Sequence, residues 1–446
     1  MGDYIVNTAR EQKEMCKALG VEKPSDLFNG LPEKVRLTSP LNIPEGKSEA
    51  EVITLLEDMA DQNHVFRTCF RGAGAYRRYI PAIVKNVTAK DEFKTAYTPY
   101  QPEMSQGILQ SIFEYQTMIC ELTGMDVSNA SMYDGASAAA EAVMMCRDRK
   151  HKNIYVSEAV NPRMRQVIQT YATAAGVKVE TVPAASDNTT DFEALEKMLA
   201  EDKEAACFLL QQPNFFGRFE EPAVAEKVVH DAGAKFIMAC DPISLAVLKS
   251  PGEYGADAAV GEGQQLGLPL GAGGPYIGFL AAKEDMMRKL PGRIVGETTD
   301  HDGNRAYVLT LQAREQHIRR EKASSNICSN EALCALTASV YMAAMGADGM
   351  AQAAENSVSA AHALHDALLA AGMEDETGGD FFNEFVTTSK IPAKEIEKAM
   401  LEKGILPGLP LDDRRMLWCA TEVNTPEEVA RAAGIVKELM EGGAAK

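Results

Sequence analysis

The chain has 446 residues, which is enough for two or three folding units with full cores. Apolar residues make up 46% of it and charged residues 24%, and these values exclude a disordered, collagen-like or coiled-coil chain. The 45 basic and 64 acidic residues leave a net charge of −19. Because this charge repels phosphate backbones and anionic lipids, neither nucleic acid nor a membrane is an expected partner.

The sequence predicts neither a membrane span nor a signal peptide. The longest apolar stretches, such as residues 136–146, fall well short of roughly 20 apolar residues and contain Glu141. The N-terminus has no basic region followed by an apolar one. Nine scattered cysteines without a C-x-x-C pair indicate reduced thiols and a cytoplasmic location. The seven histidines show no metal-binding spacing, so no metal is expected.

Residues 1–60 are predicted to form a helical arm rather than a domain with its own core. Residues 8–19 have helical periodicity, and residues 48–59 begin with a capping signal and continue as an amphipathic helix. Prolines interrupt the chain between these two segments. Because its apolar residues are too discontinuous for a separate core, the arm is expected to pack on a neighbouring domain or subunit.

Residues 61–325 are predicted to form a large α/β domain. Short apolar segments, typical of buried strands, alternate with helical stretches from about residue 130 onwards. The predicted strands are 153–156, 177–182, 206–210, 235–240, 256–260 and 276–281, and the helices between them are 162–175, 191–200 and 222–232. This alternation is typical of a mostly parallel sheet covered by helices on both faces.

Residues 326–446 are predicted to form a smaller α+β domain. Two alanine-rich helices come first, followed by one strand and two further helices. In chain order these elements are 331–344, 352–371, 384–388, 393–403 and 426–440.

Three segments follow predicted strands of the large domain, at the sheet edge where parallel sheets bind ligands. Residues 135–138 open a helix whose free N–H groups attract anions, although a plain small-residue helix start has the same sequence. Asp241 fits either a partner for a protonated ring nitrogen or an ordinary turn cap before Pro242. Residues 261–267 resemble a dinucleotide fingerprint, but the prolines and glycines that follow exclude the helix that this motif needs.

This order of features resembles pyridoxal-phosphate enzymes of the aspartate-aminotransferase fold (fold type I). Those enzymes hold the cofactor as an imine on a lysine just before the glycine-rich loop. Here Gln264 and Gln265 stand at that place, and an amide cannot form an imine. Lys249 precedes the strand, and Lys283 is expected about 20 Å away at the opposite end of the sheet.

Longer stretches are similar to the glycine decarboxylases, the P-protein family of the glycine cleavage system. The similarity covers essentially the whole chain and is most specific in residues 95–107, 114–117, 129–141, 267–275 and 314–328. The single-chain members of this family are much longer and carry the cofactor lysine in their second half. A chain of 446 residues without that lysine resembles the alpha subunit, or subunit 1, of the split two-chain form.

The resemblance implies an oxidoreductase reaction in which glycine loses CO2 and its aminomethyl group passes to the lipoyl arm of the H-protein. It also implies that a homologous beta subunit binds pyridoxal phosphate covalently, in an alpha2beta2 assembly. The active site is then expected where alpha and beta subunits meet. On this chain the residues implied to line or border it are Tyr97, Tyr100, Glu103, Ser324, Ser325 and Asn326. Ser324 stands where the family often has threonine, which keeps a hydroxyl group.

Several of these residues also fit a purely structural role. Tyr97 and Tyr100 are equally suited to ordinary packing at a subunit interface. Residues 324–326 also fit a helix N-cap before residue 331. His317 fits a proton donor, although a lone histidine is more often structural.

Two further interpretations stay open. The basic residues near position 320 fit contact with a phosphate, a substrate carboxylate or a partner, but equally a solvated helix face; they are Arg319, Arg320 and Lys322. For the chain as a whole, the alternatives are a catalytically silent scaffold or regulatory paralogue and a complete enzyme with another cofactor in the loop 271–275.

Overall fold

The computed structural model describes residues 7–37, 39–323 and 325–443, so Ser324 lies outside the described residues. The chain divides into two compact units, residues 1–65 and 66–446. The expected boundary between a large and a small domain near residue 325 falls inside the second unit and stays a prediction.

The described residues of the first unit form two α-helices, Ala9–Leu19 and Glu49–Ala60, where the sequence predicts them. Both begin with a capping box. The hydroxyl of Thr8 or Ser48 accepts the N–H of the third helical residue, a glutamate, whose carboxylate accepts the N–H of Thr8 or Ser48. Two short 3-10 helices, Pro24–Phe28 and Glu33–Val35, lie between them. Most large apolar side chains of this unit are exposed, among them Leu19, Phe28, Val35, Leu37, Ile43 and Leu56.

The second unit is built around a seven-stranded sheet. In spatial order its strands are Val127–Ser128, Gly278–Ala282, Ala258–Glu262, Lys235–Cys240, Ala205–Gln212, Asn153–Ser157 and Val179–Val182. The last five run parallel to one another, and the first two pair antiparallel. This confirms the predicted mostly parallel α/β fold.

Alternating residues of the central strands enter two separate hydrophobic cores. Phe208 and Leu210 pack into the core on one face of the sheet, whereas Cys207 and Leu209 pack into the core on the other. Helices cover both faces, as expected for buried parallel strands. The helices in this part of the chain are Ala82–Thr88, Gln106–Thr123, Gly135–Met145, Pro162–Ala174, Phe192–Glu201 and Pro222–Asp231.

The two helices predicted at 331–344 and 352–371 are present within the helical segment Ala332–Ala370, which is kinked between them, so that prediction is confirmed. The kink lies at Gly346, whose backbone is non-helical, with a φ of 64° that only glycine adopts without strain. Among the described helical segments, Ala332–Ala370 alone is long and apolar enough to cross a membrane by length and composition. Its Ala335, Tyr341 and Leu364 are fully buried in the cores of the second unit.

The C-terminal part contains a four-stranded antiparallel sheet of which only Glu384–Thr388 is predicted from sequence. The other strands are Glu374–Asp375, Arg415–Cys419 and Leu409–Pro410, and the flanking helices are Ala393–Glu402 and Pro426–Gly443. The remaining elements are the strand pairs Thr68–Cys69 with Ile405–Leu406 and Ile294–Thr299 with Arg305–Thr310, the short helix Gln316–Arg319, and 3-10 turns at Asp91–Lys94, Ser244–Ala246, Glu284–Lys289, Gln312–Arg314 and Arg320–Lys322.

Candidate functional site

A cavity of about 330 Å³ lies at the carboxyl edge of the parallel strands, where the fold predicts a ligand site. Strand ends contribute Cys240, Asp241 and Glu262, and the Gly135 helix (Gly135–Met145) contributes its first two residues. Glu384 comes from the antiparallel sheet. The cavity is therefore assembled from the sheet edge, one helix N-terminus and the C-terminal part of the second unit.

The N-terminus of the Gly135 helix is occupied by carboxylates of this chain. Asp134 is the N-cap, and its Oδ1 accepts the Ser137 N–H at 2.7 Å. The Gly135 N–H donates to Glu262 Oε2 at 2.9 Å, and the Gln264 N–H donates to Glu262 Oε1 at 3.0 Å. A Cβ on Gly135 would lie 2.6 Å from the Glu262 nitrogen, so only glycine allows this approach.

Burial raises the pKa of Glu262 to about 7, because the loss of water outweighs the backbone N–H groups that favour its charged form. Glu384 on the other side of the cavity also has a pKa raised to about 7 by burial. Its two oxygens accept the Ala73 N–H and the Tyr76 hydroxyl, both at 2.6 Å. The cavity thus contains two carboxyl groups that titrate near neutral pH.

The two glutamines at the expected lysine position have different surroundings. Gln264 is 1% exposed and its amide bonds the backbone of Tyr76 and the Leu268 carbonyl, so it braces two loops. Gln265 lines the cavity. Its Nε2 donates to Asp241 Oδ2 at 2.6 Å, and its Oε1 accepts the Arg78 Nε–H at 2.8 Å.

Asp241 is a turn cap that also reaches the cavity wall. Its Oδ1 accepts the N–H groups of Ile243 and Ser244, and its Oδ2 accepts from Gln265 at the wall. The lysines are elsewhere: Lys283 Nζ donates to the Gly255 carbonyl beside Asp257, at the opposite end of the sheet, as expected. Lys249 lies over the ring of Tyr254.

These residues do not fit a covalently bound pyridoxal phosphate. The cofactor needs an amine for its imine, and the cavity presents the amide of Gln265. It also needs helix N–H groups for its phosphate, and Glu262 already accepts the Gly135 N–H. This chain alone therefore lacks both anchoring points for the cofactor.

A family model of the glycine cleavage system P-protein matches residues 2–435. The chain belongs to this family. The probable glycine dehydrogenase (decarboxylating) subunit 1 of Moorella thermoacetica is 51% identical to it, over 98% of this chain and 99% of that protein. The corresponding protein of Shouchella clausii is 47% identical over 96% of both chains.

Solved structures agree with this P-protein assignment. A crystal structure of glycine decarboxylase (P-protein) in inhibitor-bound form is 42% identical, covers 98% of this chain and all of that one, and has a TM-score of 0.91. An aspartate aminotransferase from Thermus thermophilus is 14% identical, with a TM-score of 0.58 over 84% of this chain and 99% of that one, and shows the shared fold alone.

The five described residues that the P-protein resemblance implies do not line the cavity. Tyr97 is 97% exposed and Tyr100 54% exposed, and Glu103 and Asn326 are also exposed. Ser325 is half-buried, and its hydroxyl donates to Glu141 Oε1 at 2.7 Å. The helix after this segment begins at Ala332, with no side-chain cap, so residues 325 and 326 are not its N-cap.

Tyr100 belongs to a cluster with Arg293, Glu315 and His317. The sequence singles out Tyr100 and His317 but neither Arg293 nor Glu315. Arg293, which is 1% exposed, donates from Nη2 to the Tyr100 hydroxyl at 2.9 Å, and its guanidinium carbon lies 5.1 Å from the ring centre. Its Nε is 4.0 Å from Glu315 Oε2, and its Nε and Nη1 have no hydrogen-bond partner among the described residues. Burial raises the pKa of Glu315.

The remaining predicted residues lie around this cluster. The ring of His317 is 6.5 Å from that of Tyr100, and its Nδ1 is 3.6 Å from Glu315 Oε2. The nearby basic residues Arg319, Arg320 and Lys322 are exposed. Their exposure is compatible both with contact to a phosphate, a substrate carboxylate or a partner and with a solvated helix face. The structure therefore brings Tyr100 and His317 together around Arg293 and Glu315.

A lysine at position 264 should not restore a cofactor site. We expect Gln264→Lys to yield no imine with added pyridoxal phosphate, because this side chain points to the Tyr76 and Leu268 backbones rather than into the cavity. Borohydride reduction followed by peptide mass spectrometry measures this. A pyridoxyl adduct on residue 264 would contradict the expectation, and the wild-type chain treated in the same way is the control.

Proposed function

We propose that this chain is subunit 1 of a decarboxylating glycine dehydrogenase and is active only with a homologous, lysine-bearing subunit. Its family and its relatives named subunit 1 support the general assignment. The observation that carries the finer statement is the pair of buried glutamines where a cofactor lysine would stand. The partner must supply the amine, because an amide cannot.

The reaction proposed for the assembly is loss of CO2 from glycine and transfer of the aminomethyl group to the oxidised lipoyl arm of an H-protein. Pyridoxal phosphate, bound by the partner, supplies the electron sink for the carbon that loses CO2. An alpha2beta2 assembly and a cytoplasmic location belong to the same proposal. All nine cysteines are free thiols, as a reducing compartment requires.

This chain's contribution is a surface that borders the partner's active site. We place Tyr97, Tyr100, Glu103, Ser325 and Asn326 at that border, together with Ser324. The exposure of Tyr97 and Tyr100 supports this, because aromatic side chains with a hydrogen-bonding tip are favoured where two proteins meet. Arg293 is a positioning residue in this proposal, since its Nη2 donates a hydrogen bond to the Tyr100 hydroxyl.

Reconstitution tests the proposal. Mixing this chain with a lysine-bearing subunit 2 and H-protein should produce exchange of the glycine carboxyl group with bicarbonate, and neither subunit alone should do so. If subunit 2 alone exchanges as fast as the mixture, this chain is a silent scaffold and the proposal is wrong. A subunit 2 whose cofactor lysine is replaced provides the negative control.

Tyr100→Phe should lower the turnover of the assembled complex about tenfold with little loss of assembly. The change removes the hydroxyl that accepts from Arg293, and a hydrogen bond to a charged group is worth about 1.5–3 kcal/mol. Turnover is measured by the exchange assay and assembly by light scattering. Tyr79→Phe, at another half-exposed tyrosine, is the control. Unchanged turnover in Tyr100→Phe would remove this residue from the site.

A further inference from the structure

The cavity lies at the sheet edge where parallel α/β folds bind ligands, and carboxyl groups of this chain line it. The Gly135 helix is long enough, at 11 residues, to present a positive N-terminus to the cavity. In the related enzyme fold, such a helix end faces a phosphate. Here its donors face side chains of the same polypeptide.

We propose that Glu262 is an internal substitute for the phosphate group, so that this chain's own pocket is closed to phosphate esters. The Glu262 carboxylate lies on the Gly135 N–H at 2.9 Å, and Asp134 takes the Ser137 N–H at 2.7 Å. Two of the N–H groups of the first helical turn are therefore committed to carboxylates.

The position of Glu262 is fixed from three directions. It ends a strand whose last residue pairs with Gly278, and its second oxygen accepts the Gln264 N–H. The Glu262 backbone also fills the space beside Gly135, where a methyl group would come within 2.6 Å of the Glu262 nitrogen. A phosphate would have to displace a side chain that already has two backbone donors, and would meet its charge while doing so.

The rest of the cavity also favours exclusion of an anion. Glu384 and Asp241 line it together with Glu262. The buried cation nearest to Asp241, Arg78, has Nη1 bonded to Glu422 Oε2 at 2.8 Å and Nε bonded to Gln265. Arg163 lines the cavity but bonds Gln166 on its own helix. Arg78 therefore pairs with Asp241 and Glu422, whereas Glu262 and Glu384 face the cavity without an ion-pair partner among the described residues.

Binding of inorganic phosphate and of pyridoxal phosphate to the full chain tests this proposal. Isothermal titration measures the first and the cofactor's absorbance the second, with borohydride reduction to detect imines on surface lysines. Wild type should show no saturable binding of either probe. Glu262→Ala frees the Gly135 N–H and should bind both probes at least about tenfold more tightly than wild type.

The titrations are run at pH 8, where both Glu262 and Glu384, each with a pKa raised to about 7, are mostly ionised. Glu384→Gln is then the control, because it removes a negative charge from the same cavity and leaves the helix end as it is. Equal gains in Glu262→Ala and Glu384→Gln would overturn the proposal, since general repulsion would then explain the exclusion. Saturable binding by wild type, or none by Glu262→Ala, would overturn it as well. If Glu262→Ala fails to fold by thermal melting, Glu262→Ser takes its place. The experiment uses this chain alone, so its outcome is independent of the reconstitution assay.

Discussion

Replacing Arg78 by methionine should lower the free energy of unfolding by about 3–5 kcal/mol, the cost of breaking a buried ion pair by removing one partner. The Arg78 side chain is 1% exposed, and that of Glu422 is 8% exposed. Nη1 of Arg78 donates to Glu422 Oε2 at 2.8 Å and to the Ser357 hydroxyl at 2.6 Å, while Nε donates to Gln265. Burial opposes the charge, but Glu422 and Asp241 outweigh it and raise the pKa of Arg78.

The loss is large because methionine leaves the buried carboxylates without their cation. Glu422 also accepts the Tyr79 N–H, and Asp241 keeps its turn bonds, so neither side chain can turn out to solvent without losing further contacts. Chemical denaturation followed by circular dichroism measures the effect. Lys398→Met breaks an exposed pair with Glu402 and should cost less than about 1 kcal/mol. Equal losses in the two variants would show that the buried network contributes little.

The fold is predictable from the sequence because burial of strands and capping of helices are local properties. The strand Lys235–Cys240 has the predicted bounds, and the helix Pro162–Ala174 differs from its prediction by one residue. Arg415–Cys419 escapes prediction, since its short apolar part directly follows the four charged residues 412–415 and shows no alternation. The two helices predicted on either side of Gly346 are also correct, because this glycine adopts a positive φ of 64° and breaks the helical backbone there.

The site is less predictable, because its groups are distant in the sequence. Tyr76 and Glu384 are 308 positions apart and bond at 2.6 Å, and no pattern in one sequence pairs them. In the sequence Glu262 stands out only as part of a glycine-rich segment. Arg293 follows Pro291 and Gly292 and precedes a strand whose first two residues are buried, and a lone arginine there is a usable but weak signal. The absence of a cofactor lysine, by contrast, is read directly from the sequence, because glutamines occupy positions 264 and 265.

Stability should depend on pH through Glu384, and Glu384→Gln should remove that dependence. Burial raises the pKa of this carboxyl from 4.5 to about 7, and its bonds from the Tyr76 hydroxyl and the Ala73 N–H offset only part of the rise. A raised pKa means that the folded chain binds the proton more tightly than the unfolded chain does. The stabilising contribution is therefore fully present below 4.5 and is lost as the pH rises through about 7.

At about 1.4 kcal/mol for each pKa unit, the wild type should lose about 2.5 kcal/mol relative to Glu384→Gln between about pH 5 and pH 8. Glutamine can still accept the Ala73 N–H and can donate to the Tyr76 oxygen, so the variant keeps the local geometry. Urea unfolding at a series of pH values gives both curves. Glu374→Gln, at an exposed position of the same sheet, should run parallel to wild type. A Glu384→Gln curve that also runs parallel to wild type would mean that this carboxyl is ionised at pH 5 and that the cavity is wetter than its burial indicates.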